Sequence, residues 1–480
     1  MTDLPPGWEW ATLGELLLRI EAGKSFSCEP RQANDDEWGI IKVSAMTWGR
    51  FREEENKAVP VGVTFDRACE IKPGDILVSR ANTEEYVGAP VLVGRCRPRL
   101  LLSDKSLRLT PSSHIGRRWL AFLLSSPYVR GEISCRATGT KDSMRNISQD
   151  SFKDIRVPVP PILEQHRIVA ALESHLSRLD KISHTVERSR IRASMLRRKV
   201  LDDAGSRLSD TPWKQLGELL REPLRNGHSA RATQDTTGIR TLTLTAVTNN
   251  QFIEKNTKLA AADPDRVRHL WLRSGDIFIQ RSNTPGLVGS SALYRGPEDW
   301  AIFPDLLIRI RVDSSLLPEF VHMMLSTTRA KRYLRSSAKG LAGSMPKIDQ
   351  GTIERIELPT PPLDVQREFV EFVKAQQEGI SRLLGGLEGA RSRSGQLRRS
   401  LLREAFAGRL LPQDPTDEPA LALLARIRAE RANQPKPQRA RRTKPKESPG
   451  ASPAESPAAS RTEWPDASRT PTTYEQGELL

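Results

Sequence analysis

The sequence predicts an α+β protein built from two tandem copies of one mixed domain, each followed by a long helix. Three observations support this prediction: residues recur at one fixed offset, short β-rich runs with turn signals fill each copy, and a proline cluster precedes a heptad pattern at the end of each copy. The clearest recurrence pairs residues 74–83 (GDILVSRANT) with residues 275–284 (GDIFIQRSNT), so the offset is 275 − 74 = 201.

The recurrence extends well beyond this motif. At the same offset Arg108 matches Arg309, and the Ser-Met pair at 143–144 matches the pair at 344–345. A repeat of this length is far longer than the 20–50 residues of a solenoid repeat. The chain is therefore expected to hold two large modules, and its function is expected to use both.

The mixed part of each copy is predicted to contain strands and a helix. Apolar and β-branched runs bounded by turn residues predict strands at 39–44, 75–79, 239–244 and 276–280. Helix-like stretches follow at 117–124 and 318–325. Together they favour an α+β domain with a partly antiparallel sheet.

A long helix is predicted to follow each proline cluster, 157–161 and 358–362, because proline is tolerated at a helix start and disfavours helix before it. Apolar residues then recur in alternating steps of four and three, which is typical of a coiled coil. The predicted seam includes Ile168, Leu172, Leu179, Ile182, Val186, Phe369, Val373, Ile380, Leu383 and Leu387.

The second helix contains five glycines, so it is expected to need the first helix as a packing partner. About 40 residues at ~1.5 Å each give a rod of ~60 Å. An antiparallel pair would place the two domains at opposite ends, related by a pseudo-twofold axis. A parallel pair would need a long return connection, and the linker at 202–212 looks too short for it.

These patterns divide the chain into six segments. The first domain occupies 1–160 and the central long helix 161–207, while the second domain occupies 208–361 and the second long helix 362–411. A short helical segment is predicted at 412–433, with Leu421, Leu424 and Ile427 on one face. The basic, proline-rich tail at 434–480 is predicted to be disordered, and it either touches DNA nonspecifically or only aids solubility.

Composition points to a polyanionic partner. The 480 residues carry a formal net charge of +15 and a pI of about 9.9, which suits nucleic acid first and an anionic membrane second. Neither a membrane-spanning run nor a signal peptide is recognisable in the sequence, so a cytoplasmic location is expected. The four cysteines, at spacings that match no zinc or disulfide pattern, are expected to be reduced thiols.

Two stretches resemble the specificity subunit of type I restriction–modification systems. Residues 158–169 (PVPPILEQHRIV) resemble the start of that family's central helix, and residues 397–410 (LRRSLLREAFAGRL) resemble its C-terminal region. The Gly-Asp-Ile strands match its target-recognition domains. One departure is Val365, which replaces the glutamate of the Glu-Gln pair in the second copy.

The resemblance implies a DNA-binding subunit without catalytic chemistry of its own. Each target-recognition domain would read one half of a split site in double-stranded DNA, and the helices would set the unread spacer. Methyltransferase subunits, expected to be two, would dock on the helices and methylate adenine with S-adenosylmethionine. Motor-nuclease subunits would add ATP- and Mg-dependent restriction.

Candidate DNA-binding residues fall into three groups. Identical residues in the two copies are expected to contact phosphate or hold the loop, whereas divergent loop residues are expected to read bases. For the arginine and asparagine of the shared motif, a turn-stabilising role stays equally open. The shared group is Arg80, Asn82, Thr83, Arg281, Asn283 and Thr284; the divergent group is Arg50, Arg52, Tyr86, Asn249, Asn250 and Gln251; the loops before the final strand add Lys141, Ser143, Ser344 and Lys347.

Two rival functions remain open at this point. One is a scaffold whose coiled coil recruits partners and whose basic domains bind no DNA, and the charge excess argues against it. The other is an enzyme with a divergent nuclease or methylase centre. The sequence has no phosphate-binding Gly-X-X-X-X-Gly-Lys-Ser/Thr loop and no Asn-Pro-Pro-aromatic or Asp-Pro-Pro-aromatic tetrapeptide, and its seven histidines form no metal pattern.

Overall fold

The structure is a computed structural model that describes residues 4–47, 49–139, 144–248, 250–340 and 345–434. The chain divides into two units, Met1–Ala432 and Asn433–Leu480, and all of the described helices and strands lie in the first unit. The tail predicted to be disordered lies, from residue 435 onward, outside the described residues.

The first copy contains eleven described strands, most of them short. The strands are β1 (Glu9–Thr12), β2 (Leu17–Ala22), β3 (Gly39–Ile41), β4 (Asn56–Ala58), β5 (Ile76–Ser79), β6 (Ala81–Asn82), β7 (Pro90–Leu92), β8 (Leu100–Leu101), β9 (Ser106–Pro111), β10 (Arg145–Asn146) and β11 (Arg156–Val159). The helices are α1 (Leu13–Leu16), α2 (Arg117–Ser125), α3 (Pro127–Arg136), α4 (Gln149–Lys153) and the long α5 (Ile162–Ser206), with 3-10 turns at Val43–Met46 and Arg67–Cys69.

The second copy repeats most of this order. Its strands are β12 (Trp213–Gln215), β13 (Arg225–Asn226), β14 (Ile239–Leu242), β15 (Val247–Thr248), β16 (Gln251–Phe252), β17 (Thr257–Ala260), β18 (Ile277–Gln280), β19 (Ser291–Leu293), β20 (Leu307–Ile310) and β21 (Glu357–Pro359). Its helices are α6 (Pro264–Val267), α7 (Pro318–Leu325), α8 (Thr328–Ser336), α9 (Gln350–Glu354) and the long α10 (Leu363–Phe406), and α11 (Ala420–Ala432) follows; 3-10 turns lie at Leu216–Leu219 and Leu244–Ala246.

Each copy is organised around a four-stranded antiparallel sheet. The strand order is β2-β9-β5-β7 in the first copy and β13-β20-β18-β19 in the second. The central strands β5 and β18 carry the Gly-Asp-Ile motif, and every residue in them is buried. The predicted strands at 39–44 and 239–244 end earlier, at Ile41 and Leu242, because a 3-10 turn follows each one.

A buried ionic cluster holds the repeated motif in place. The Arg108 guanidinium donates to the Glu21 carboxylate at 2.8 Å and lies 3.4 Å from Asp75. In the second copy Arg309 donates to Glu222 at 2.9 Å, and only 2% of its side chain is exposed. The motif's aspartate is paired in both copies, Asp75 with Arg108 and Asp276 with Arg311 at 3.0 Å, and therefore has a structural role.

The two long helices pack against each other and run antiparallel. The hydroxyls of Ser183 and Ser394 lie 3.2 Å apart, and Asp180 pairs with Arg398, so the contacting residue in α10 comes earlier as α5 advances. The first turns of α5 and the last turns of α10 share the core of the first domain. The last turns of α5 and the first turns of α10 share the core of the second domain.

The predicted seam is wrong at two equivalent positions in each helix. Ile182 and Leu383 are 49% and 51% exposed, and Leu196 and Leu397, which the same alternation adds to the seam, are 47% and 54% exposed. In α5, Leu176 is buried in place of His175, and Ser183, one residue after Ile182, contacts Ser394. Of the rest, Ile168, Leu172, Leu179, Phe369, Val373 and Ile380 are buried, and Val186 and Leu387 are half-buried.

The C-terminal segment closes on the first domain. The buried Glu164 carboxylate accepts hydrogen bonds from Trp8 Nε1 at 2.9 Å and from Gln413 Nε2 at 2.7 Å. Helix α11 then buries Ala420, Leu423, Leu424 and Ile427 in the same core. Leu421, predicted on that face, is instead 58% exposed.

Candidate nucleic-acid interface

One end of the central sheet carries the shared motif residues Arg80 and Arg281 in the two copies. Strand β5 ends at Ser79, opposite Ser106 where β9 begins, and β2 ends at Ala22 opposite Leu107. Residues that follow β5 and β2 therefore lie at the same end as the turn before β9. The second copy has the same arrangement, because Gln280 at the end of β18 pairs with Leu307 at the start of β20.

A small antiparallel ladder adds the segment before the final strand to this end. In the first copy Asn146 pairs with Ala81 on one side and with Thr138 on the other. In the second copy Lys347 pairs with Ser282 and with Lys339. The ladder brings together the loop after the motif and the segment before the final strand.

The backbones of Arg80 and Arg281 are held by hydrogen bonds to two neighbouring segments, while their guanidinium groups remain available to a ligand. The Arg80 N–H donates to Lys105 O at 2.8 Å, and the Arg80 carbonyl accepts from Ile147 N at 3.1 Å; Arg281 makes the equivalent bonds to Leu306 and Ile348. Both side chains are half-exposed. Within the described part of the chain, neither guanidinium has a hydrogen bond or an ion pair, so each is available to an anionic ligand.

The shared asparagines are occupied inside their own loops. Asn82 Oδ1 accepts from the Thr83 N–H at 2.8 Å, and Asn283 Oδ1 accepts from the Thr284 N–H at 2.7 Å. The Asn283 amide also donates to Gln280 Oε1 at 2.9 Å. This geometry favours the turn-stabilising interpretation for both asparagines and leaves the exposed Thr83 and Thr284 for the surface.

In the second copy the candidates Asn250 and Gln251 lie on the β15–β16 hairpin, next to the end of β18. The Gln280 amide donates to Leu244 O at 3.0 Å and to Val247 O, which holds the β15–β16 hairpin against the end of β18. Asn250 sits in the hairpin turn at φ 59°, a left-handed conformation that asparagine tolerates, so the turn by itself explains this residue type. Gln251 is exposed on β16.

The first-copy candidates are less uniformly exposed. Arg50 is exposed, whereas Arg52 and Tyr86 are half-buried. Burial raises the pKa of the Tyr86 hydroxyl, helped by the neighbouring Glu85 carboxylate. Of the three, Arg50 therefore presents the most accessible polar group to a ligand.

Four further candidates, Lys141, Ser143, Asn249 and Ser344, lie outside the described residues. Lys347 is exposed, and its backbone exchanges two 2.9 Å hydrogen bonds with Lys339. The Lys339 ammonium lies 3.5 Å from the Asp349 carboxylate, which offsets the repulsion between the two opposed lysines. Lys339 was missed by sequence reasoning, because only the ladder brings it beside Lys347.

The described residues contain no cluster of three or more His, Cys, Asp or Glu side chains that could hold a metal ion. The most perturbed histidine, His322, is half-buried in α7 with Nε2 3.4 Å from Ser291 O, and desolvation lowers its pKa to about 4. It is therefore neutral at neutral pH. Among the helices that the structure covers, none is long and apolar enough to cross a membrane.

The arrangement suits anion and base-edge contacts. Each copy presents an accessible arginine, exposed hydroxyls and further lysine or amide groups at one end of a rigid sheet. Such groups neutralise phosphate and hydrogen-bond to base edges.

Comparison with known proteins identifies similar chains. The family model described as type I restriction modification DNA specificity domain matches residues 5–188. The StySPI specificity subunit of Salmonella potsdam is 26% identical over 89% of this chain and 96% of that protein. The EcoEI specificity subunit of Escherichia coli is 30% identical over 38% of this chain, a match that spans 32% of that protein.

A solved structure shares the fold. A chain from work on complex assembly and conformational transition of the type I R-M system aligns with 85% of this chain and all of its own length. The TM-score is 0.63 at 18% sequence identity.

Proposed function

We propose that this chain, which belongs to the family of type I restriction–modification DNA specificity subunits, recognises a bipartite DNA sequence, with one half-site read by each domain. The observation that carries the proposal is the repeated sheet end, where Arg80 and Arg281 present accessible guanidinium groups at equivalent positions. The net charge of +15 favours the same ligand.

The helix pair supports an unread spacer between the half-sites. Leu172 of α5 packs in the first core and Ala204 packs in the second, 32 residues apart. At ~1.5 Å per residue this is about 48 Å, more than the ~34 Å of one DNA turn. In this proposal the antiparallel pair acts as a coiled-coil rod whose pseudo-twofold axis relates the two domains.

Methyl transfer and restriction are assigned to partner subunits in this proposal, with S-adenosylmethionine, ATP and Mg bound there. The rod offers these partners an apolar surface. Ile182, Leu196, Leu383 and Leu397 are 49%, 47%, 51% and 54% exposed. They form two pairs at the repeat offset of 201.

These four residues lie on one face of the rod. Within each helix the two positions are 14 residues apart, which is two heptads and the same face. Because Asp180 contacts Arg398, Ile182 lies at the level of Leu397, and Leu196 lies at the level of Leu383. A symmetric patch of this kind suits two identical methyltransferase subunits, one for each half.

Methylation mapping at base resolution, in cells with and without this chain, tests the proposed function. We expect N6-methyladenine to disappear from one split, asymmetric motif when the chain is absent. No change in any motif, together with DNA binding that is insensitive to salt, would instead support the scaffold function.

Single substitutions separate the roles of the two domains. Arg80→Ala and Arg281→Ala should each weaken DNA binding and lower the slope of log K against log salt by about 0.9. Each variant should impair contacts to a different half-site in a footprinting assay. Equal loss at both half-sites in each variant would contradict the division of labour.

The docking surface has its own test with a matched control. Leu196→Asp combined with Leu383→Asp should abolish co-purification of the methyltransferase subunits. Ile191→Asp, at a residue equally exposed on α5 but outside the patch, should leave it intact. Loss in the Ile191 variant, or retention in the double variant, would contradict this surface.

A further inference from the structure

Two exposed methionines occupy equivalent positions at the proposed interface. Met144 is 41% exposed and directly precedes β10, and Met345 is 54% exposed two residues before the Lys347 ladder position. They are related by 345 − 144 = 201. A single exposed apolar residue is common on protein surfaces and needs no explanation. A methionine that is exposed at the equivalent position of both copies does need one.

The other shared residues of this loop have structural reasons. Ile147 and Ile348 are 0% and 1% exposed and anchor the loop in the core. Gly139 adopts φ 141°, and a Cβ there would lie 2.5 Å from Met144 O. The methionines have no such reason, because 41% of the surface of Met144 and 54% of that of Met345 is exposed and neither belongs to a hydrophobic core cluster of the described residues.

The surroundings of these methionines are cationic and polar. Met144 adjoins Arg145, which pairs with Asn82 in the ladder, and Met345 lies in the segment that holds Lys347 opposite Lys339. A thioether can neither neutralise phosphate nor form the paired hydrogen bonds that read base edges. At a DNA surface it can contact an apolar group in the major groove or insert between base steps. Loss of the thymine methyl group weakens only the first kind of contact, so a duplex that lacks this methyl group separates the two.

The major groove presents one apolar group, the 5-methyl of thymine. A side chain common to both domains can specify only what the two half-sites have in common. Resting on the proposed function, we propose that Met144 and Met345 each contact the methyl group of a thymine present in both half-sites. The flexible, polarizable side chain of methionine suits such a contact.

The experiment uses the full chain with its co-purified partners and duplexes that carry the mapped site. Each thymine is replaced in turn by deoxyuridine, which removes only the methyl group, and binding is measured at fixed salt. For the wild type we expect one thymine in each half-site at which the replacement weakens binding about fourfold, the equivalent of ~0.8 kcal/mol for one buried methyl-sized group.

Combining each methionine variant with each deoxyuridine duplex gives a double-mutant cycle. Met144→Ala should weaken binding to the unmodified duplex about fourfold and remove the deoxyuridine effect in one half-site only, and Met345→Ala should do so in the other. Met144→Leu should keep the methyl sensitivity. Met195→Ala, at a 61% exposed methionine on α5, should change nothing.

Two results would overturn the inference: no thymine in either half-site responds to deoxyuridine, or the response persists unchanged in Met144→Ala and Met345→Ala. Failure of the wild type to bind the mapped duplex above nonspecific DNA would instead overturn the proposed function.

Discussion

Replacing two glycines in the middle of α10 should stabilise the rod. Gly385 and Gly386 are exposed and helical, and a Cβ added to either would have no other atom within 4 Å. Each glycine costs about 1 kcal/mol relative to alanine in a helix interior. Gly385→Ala with Gly386→Ala should therefore stabilise this part of α10 by about 2 kcal/mol, or roughly 30-fold in a local opening equilibrium.

Hydrogen exchange read by mass spectrometry measures this change directly. Peptides that cover 378–392 should exchange roughly 30-fold more slowly in the double variant, because their amides exchange through local opening. Peptides from β5 and β18 should be unaffected. Gly88→Ala serves as the opposite control, because Gly88 has φ 72° and its Cβ would lie 2.5 Å from Ile133 Cγ2; it should destabilise the first domain by more than about 1 kcal/mol. Unchanged or faster exchange at 378–392 would refute the prediction, because it would show that alanine at 385 and 386 does not stabilise the helix.

Three further predictions concern the domain cores. Arg309→Ala should destabilise the second domain by about 1–3 kcal/mol in chemical unfolding, because the carbonyls of Trp271 and His269 lose a donor while Glu222 keeps its ion pair with Arg311; no change in stability would contradict the structural role of this arginine. Desolvation lowers the pKa of His322 to about 4, from an unfolded value near 6.5. Between these two values the folded state binds fewer protons than the unfolded state, so the free energy of unfolding should fall as the pH drops from 6.5 to 4. His322→Leu should reduce this fall, and a variant with the same pH profile as the wild type would contradict the prediction. Ile427→Ala should lower stability by about 2–5 kcal/mol, whereas Leu421→Ala should change it by less than about 0.5 kcal/mol, and equal effects would argue against the orientation of α11.

The long helices were predictable because their signals are local and repeated. A proline cluster marks each start, and the apolar period persists for more than three heptads. Which side chains form the seam was not predictable, because His175 and Leu176 both fit an alternation of fours and threes. The choice depends on which side chains the facing helix presents, and a single helix sequence does not contain that information.

The place of the shared motif in the fold was predictable, but the contacts of its residues were not. The recurring motif located Arg80 and Arg281 correctly at the end of a buried strand. The ladder that brings Lys339 beside Lys347 joins the segments on both sides of a loop, and no local sequence pattern predicts this pairing. Likewise, a single sequence could not reveal that Asn82 uses its amide within its own turn.

The shared core at the chain ends has a consequence for synthesis. The core of the second domain uses residues between Leu201 and Val373, whereas the core of the first domain also needs Leu402 to Ile427. A ribosome adding ~5–20 residues per second needs about 12–50 s to pass from Leu179 to Ile427. The domain that is made first is therefore completed last, and during that interval its unpaired apolar surface is open to chaperones and to aggregation.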